Sequence, residues 1–144
     1  MINPENVQKF KSYGFVLTPV IKSKNPNEDK KPVSKNGTWH KDWNDQELLD
    51  ASRIGAYHRD SKIFDVDFDD KEYNAHKFMD LLPPTFTIGK KVNGRAVATH
   101  LIYRTKEKVK DYKKAQPLVE LLANTQTIIA GVDRIIINDQ EPIY

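Results

Sequence analysis

The sequence predicts an α+β domain whose helices pack against a mixed or antiparallel sheet, with a smaller α/β unit on its N-terminal side. Three observations carry this prediction. After residue 60 the hydrophobic pattern runs strand, helix, strand, strand, and further strands follow. Before residue 60 it runs helix, strand, long polar loop and short helix. At 144 residues the chain has the length for one sizeable core and reads as a single domain, 1–144.

Asn3 followed by Pro4 has the form of a helix N-cap with proline in the first turn, so a short helix to about Lys11 is expected. "YGFVLTPVI" follows as a strand, and Pro19, which cannot donate to a ladder, places it at a sheet edge or a strand end. Residues 22–44 form a polar loop holding both tryptophans, and a loop of that length in a compact domain is functional or mobile. Residues 45–52 read as a short helix capped by Asn44 or Asp45. A strand at 62–69 leads into a helix whose Ala75, Phe78, Met79 and Leu82 recur at i, i+3, i+4 and i+7. Asp69 or Asp70 can cap that helix, and Pro83-Pro84 stops it. "TFTIG", "THLIYR", "LVELLA" and "TIIAGV" read as strands, with "RIIIN" as a further one.

Hydrophobic residues make up 38% of the chain and charged residues 30%, the balance of a globular protein with a heavily charged surface. No apolar run has the length of a transmembrane helix, and "MINPENVQKF" lacks a signal peptide's apolar core. The absence of cysteine excludes disulfides, thiolate zinc sites and cysteine nucleophiles, and fits a reducing cytoplasm. The net charge of +3 is unevenly spread. Basic residues cluster in "IKSKNPNEDKKPVSK", "GKKVNGR" and "YRTKEKVKDYKK", whereas aspartates concentrate at 65–70. A basic surface beside one acidic spot suggests a polyanionic partner and a bound cation; the plainer alternative is a set of solvated lysine-rich loops.

The acidic spot, "KIFDVDFDDKE", has the alternation of a strand. Ile63, Asp65, Asp67 and Asp69 share one face, and Phe64, Val66 and Phe68 take the other, to pack on the core. Asp65 and Asp67 then stand roughly 6.5–7 Å apart at Cα, so their carboxylates can converge on one hard cation or on two. Without a cation they would repel each other, and oxygen ligands favour Mg²⁺ or Mn²⁺ over zinc. Pairing with nearby lysines is the structural alternative, and Asp69 and Asp70 fit a turn and helix cap. Asp-x-Asp alone is shared by nucleotidyltransferases, glycosyltransferases and nucleases.

Two further residues sharpen the pattern. Glu120 lies in the apolar run "PLVELLA", where it is either a third metal ligand on a neighbouring strand or a solvent-facing residue of an edge strand. His100 opens "THLIYR", and alternation puts Ala98, His100, Ile102 and Arg104 on one face, with Thr99, Leu101 and Tyr103 on the other. A histidine and an arginine two steps apart make an anion grip; a structural histidine is the alternative.

Taken in order, "IFDVDFD" with Asp65 and Asp67, "ATH" with Ala98 and His100, and "VE" with Val119 and Glu120 resemble the three motifs of the archaeo-eukaryotic primase superfamily, in its bifunctional primase–polymerase (prim-pol) branch. "YGFVLTPV", "KKP" before a tryptophan, "RIGAYHRDSKIFDVD", "LLPPTFTIGK" and "VELLANTQTIIAGV" resemble its flanking segments, so the likeness spans roughly residues 12–134. The chain departs from the branch at Gly94-Arg95, which "AVAT" separates from His100, and at Ala98, which offers no hydroxyl while Thr99 is expected to point away. There is no phosphate-binding G-x-x-x-x-G-K-[ST] loop for a helicase, because "GKKVNGR" does not match it.

The resemblance implies a primase–polymerase core with an RRM-like sheet unit, and a nucleotidyltransferase that is a DNA primase, a DNA polymerase or both. It would act on nucleoside triphosphates with a single-stranded DNA template and primer. Asp65, Asp67 and Glu120 would hold two Mg²⁺ or Mn²⁺ ions. His100 would contact the β- or γ-phosphate, helped by Arg104, Arg95 and Lys91, with Lys30 and Lys31 of the polar loop as further phosphate contacts. Trp39, Trp43 and Tyr57 would stack on bases, core or hinge packing being the alternative for the tryptophans. The resemblance also implies a cytoplasmic setting in a bacterial or archaeal host, a viral or mobile-element origin, and a helicase or other replication domain outside this chain. A metal-dependent nuclease and a non-catalytic single-stranded nucleic-acid binder are the rival readings.

Overall fold

A computed structural model describes residues 2–35, 38–39, 42–68, 74–112 and 119–144. Helix α1 (Pro4–Ser12) starts where the cap signal placed it: the Asn3 side chain accepts the Glu5 N–H at 2.9 Å, and Val7 and Phe10 face inward. β1 (Leu17–Val20) follows, buried along its length. Within the polar loop, β2 (Ser34–Lys35) and β3 (Thr38–Trp39) form a small antiparallel ribbon. α2 (Asp45–Leu49) opens on a capping box in which Asn44 accepts the Glu47 N–H and Glu47 accepts that of Asn44. β4 (Arg53–Tyr57), the single turn α3 (His58–Ser61) and β5 (Ile63–Phe68) come next. A 3₁₀ helix (Asn74–Leu81) leads to β6 (Phe86–Val92), β7 (Arg95–Arg104), β8 (Val119–Leu122), β9 (Gln126–Gly131) and β10 (Ile135–Asn138). Among the described residues no helix is long and apolar enough to cross a membrane.

The α+β class predicted from the hydrophobic pattern is observed, with every strand pair antiparallel. Five strands lie in the order β10-β6-β7-β5-β8, and three more in the order β1-β4-β9. β5 and β6 therefore run the same way on either side of β7. Pro19 sits in β1, at the edge of the smaller sheet, as its missing N–H requires. The main core fills the space between the sheets: Ile63, Phe86, Ile88 and Ile102 from the larger meet Leu17, Ile54 and Ile129 from the smaller. Phe10 of α1 and Leu48 of α2 join the same core.

Two elements differ from expectation. The run after β5 is a 3₁₀ helix, and its period changes which residues are buried. At three residues per turn His76, Met79 and Leu82 share a face; Met79 and Leu82 pack on Phe68, Leu101 and Tyr103, and the His76 ring lies 5.6 Å from that of Phe68. Phe78, placed on the apolar stripe by a 3.6 period, is instead 51% exposed. Asp69 and Asp70, and the side chains of Trp39 and Ala75, lie outside the described residues.

The second difference is β4, a fully buried central strand in "RIGAY" that hydrophobic alternation does not announce. Its Arg53 is only 4% exposed because two carboxylates meet it: Nη1 donates to Asp29 Oδ1 at 2.7 Å, and Nε and Nη2 donate to Asp133 at 3.1 and 2.5 Å. The Ser23 amide and Arg53 hold Asp29 below the ordinary carboxylate range. For Asp133 burial acts the other way, and the Arg53 and Arg134 guanidinium groups together overcome it. Both carboxylates thus stabilise the fold above the ordinary aspartate value of 3.8 and lose that contribution as pH falls through their lower folded values. Arg53→Met is expected to cost about 2–4 kcal/mol in urea unfolding at neutral pH, with a smaller difference between variant and wild type in acid. A neutral-pH cost under about 1 kcal/mol would mean the clamp does not hold the loop to the sheet.

Candidate active site

β5 sets Ile63 and Asp65 toward the smaller sheet and Phe64, Val66 and Phe68 away from it, as alternation predicted. The phenylalanine face, however, covers the minor core, and the larger one lies on the aspartate face. Asp65 is consequently a carboxylate with no exposed surface, set in the seam between the two sheets.

The register then aligns the expected site residues across three adjacent strands. Asp67 stands directly opposite His100 of β7 on one side and Glu120 of β8 on the other. Directly opposed residues in an antiparallel ladder bring their Cβ atoms to about 4.5–5.5 Å, so His100, Asp67 and Glu120 form one row on one face. Asp65 lies two residues back, beneath that row. His100 Nδ1 donates to Asp65 Oδ2 at 2.8 Å and stands 3.5 Å from Asp67 Oδ1. Burial alone would push the His100 pKa down; Asp65, with help from Asp67, overcomes it and holds the ring above its ordinary value against the opposing charge of Arg134.

A bulge adjusts β7 at this point. Ile88 pairs with His100 and Gly89 with Ala98, so one step along β6 matches two along β7. Alternation is broken there, and Thr99, expected on the far face, lines the same cleft as His100. Gly89 permits the distortion: a Cβ on it would lie 1.9 Å from the Val97 carbonyl oxygen.

The cleft has a volume of about 990 Å³. Asp65, Asp67, His100 and Thr99 line it together with basic side chains from three directions: Lys30 of the polar loop, Lys90 and Lys91 at the end of β6, and Arg134 before β10. Lys30 and Lys91 were expected here from the sequence. Lys90 and Arg134 were not, although both stand in polar breaks beside apolar runs, a signal open to reading. Arg134 is nearly buried, and its Nε has no hydrogen-bond partner.

Other expected contacts fall elsewhere. Arg104, at the far end of β7, donates to the carbonyl oxygens of Tyr13 at 2.5 Å and Pro142 at 3.1 Å, and pairs with Glu141 at 2.8 Å. Its guanidinium ties the chain ends together and lines no part of the cleft. Lys31 and Arg95 are exposed outside the cleft, and Tyr57 is buried in β4. Trp43 packs against the main core. Glu120 is half-buried on the edge strand β8, in the row but outside the cleft lining.

Among the described residues, no three acidic or imidazole groups are drawn together in a geometry ready to hold a metal ion. The donor set nonetheless suits a hard cation. Asp65 Oδ2 accepts from both His100 and Thr127, whereas Oδ1 is buried with no partner at all. A bare carboxylate oxygen away from water is costly, and a cation is the group that would satisfy it. Comparison with models of known protein families and with curated proteins finds no match for the chain.

Proposed function

We propose that this chain is a primase–polymerase domain that transfers nucleotides from nucleoside triphosphates to a growing strand on a single-stranded DNA template. The observation that carries the reading is the row His100–Asp67–Glu120 above the unpartnered Asp65 Oδ1, at the rim of a basic cleft. These residues come from three separate motifs. The strand order β6-β7-β5-β8 supports the same reading, since the RRM-like unit also places its first and third strands at the centre of an antiparallel sheet.

Asp65, Asp67 and Glu120 are the residues that would hold Mg²⁺ or Mn²⁺. Two such ions, when bound, would activate the attacking 3′-hydroxyl and neutralise the charge of the departing pyrophosphate. The protein's own groups do the rest. Asp65 and Asp67, fixed on one rigid strand, define where the α-phosphate must lie. Lys90, Lys91, Arg134 and Lys30 place positive charge along the cleft for the triphosphate. His100 is positioned by Asp65 between the carboxylates and those cations, where the outer phosphates would sit.

The test is incubation with labelled primer–template in Mg²⁺ or Mn²⁺, with and without ribo- or deoxynucleoside triphosphates. Extension that requires triphosphate is the expected result. Shortening of the labelled strand would replace the proposal with a nuclease, and salt-sensitive binding without any product would replace it with a binding module. His100→Ala is expected to raise KM for the triphosphate roughly tenfold with a smaller fall in kcat. Unchanged kinetic constants would remove His100 from the site.

A further inference from the structure

The smaller sheet contributes something more specific than packing to this site. His58, the residue after β4, has no exposed surface. Its Nδ1 accepts the backbone N–H of Thr125 at 3.2 Å. An amide N–H can only donate, so Nδ1 carries no proton. Burial also holds the ring's pKa below its ordinary value, despite the charge of Asp65. The ring is therefore neutral, and its one proton sits on Nε2, 2.7 Å from Thr127 Oγ1.

The Thr127 hydroxyl accepts that hydrogen bond and has its own proton left to give. It gives it to Asp65 Oδ2, at 2.6 Å. The chain Thr125 N–H, His58, Thr127, Asp65 thus has one direction throughout, and it crosses from the smaller sheet to the larger. His100 reaches the same Oδ2 from the other side at 2.8 Å. A carboxylate rotates about its terminal bond in a broad two-fold well, so its oxygens exchange unless something distinguishes them. Here Oδ2 has two donors and Oδ1 has none. A purely structural network would have satisfied both.

We propose that His58 and Thr127 are positioning residues for Asp65, a relay that fixes the carboxylate's rotation so that Oδ1 alone is presented to a divalent cation. This rests on the metal-dependent reading above. It assigns the smaller sheet a part in cation affinity, through two residues that act by way of Asp65. Ligating carboxylates oriented by outer hydrogen bonds typically lose about 10–100-fold in affinity when those bonds are removed.

The experiment is Mn²⁺ binding to the full chain, by calorimetry or by the resonance signal of free Mn²⁺, with no nucleotide or DNA present. Thr127→Val keeps the shape and removes the hydroxyl; it is expected to weaken Mn²⁺ binding about 10–100-fold while unfolding stays cooperative. Thr127→Ser, which keeps the donor, is expected to remain within about threefold of wild type. A folded Thr127→Val protein that binds within about twofold of wild type overturns the relay and leaves the metal site standing. Wild-type protein that binds no Mn²⁺ overturns the site and the relay together. Should Thr127→Val fail to fold, the double variant His58→Phe, Thr127→Val removes both polar partners at once, and the same loss and the same overturning result apply to it.

Discussion

Asp65→Asn, Asp67→Ala and Glu120→Ala are each expected to reduce template-directed incorporation by about a thousandfold or more, equivalent to ~4 kcal/mol of lost transition-state stabilisation. The three variants should differ in what else they do. Glu120 is half-buried on an edge strand, so its removal leaves the core untouched and any loss of activity is a loss of chemistry. Asp65 is fully buried, and although His100 and Thr127 satisfy Oδ2, its Oδ1 is bare, and burying an unsatisfied carboxylate oxygen is costly. Asp65→Asn keeps an acceptor for Thr127 and His100 while discarding the charge. In metal-free buffer its thermal midpoint should therefore match or exceed that of wild type. A more stable but inactive protein is the mark of a residue kept for function at the expense of the fold. Full activity in the double variant Asp65→Ala, Asp67→Ala would sink the proposed function outright.

Phe86→Ala should produce the largest loss of stability, about 3–5 kcal/mol. Phe86 has no exposed surface, and its ring packs edge-on against Phe15 at 5.4 Å, Phe10 at 5.9 Å and Tyr13 at 6.3 Å. It joins β6 to α1 and to the segment entering β1, so the cavity left behind borders several elements that cannot all collapse into it. The thermal midpoint should fall by roughly 10–15 °C. Activity measured well below that midpoint should survive, because Phe86 lies outside the cleft. A loss under about 1 kcal/mol would show that this aromatic cluster is not the joint between sheet and helix.

How far the sequence discloses this molecule depends on the range of the forces involved. Local signals are legible: the Asn3 and Asn44 caps, the edge proline Pro19, the alternation of β5 and the stop at Pro83-Pro84. Asp65, Asp67 and His100 can be placed together because the period of a strand fixes their face, and the ladder register adds Glu120 to the row. What escapes is set by partners far away in the chain. β4 is obscured because Arg53 is made burial-compatible by Asp29 and Asp133, and no local pattern reveals that pairing. Thr99 is misplaced because a bulge depends on what the neighbouring strand does. Arg104 is taken by Tyr13, Pro142 and Glu141, competitors that a single strand's alternation cannot show. His58 and Thr127 look like ordinary residues of buried strand ends, and only the docking of one sheet on the other gives them Asp65 as a neighbour.

That docking has a consequence for when the site can exist. The smaller sheet is assembled from β1, β4 and β9, with Arg53 of β4 paired to Gly131 of β9, and the whole of β5 to β8 lies between them in sequence. Thr127 therefore reaches Asp65, and Arg134 joins the cleft, only after the strand pairing of longest sequence separation among the described residues has closed, an entropically late event. A nascent chain would carry Asp65 and Asp67 through the synthesis of β6, β7 and β8 with neither the hydroxyl that bonds Asp65 nor the guanidinium that lines the cleft beside it. On the proposed function, competence for chemistry would in this way be tied to completion of the tertiary fold. A partly made molecule would hold the acids without the partners that set them.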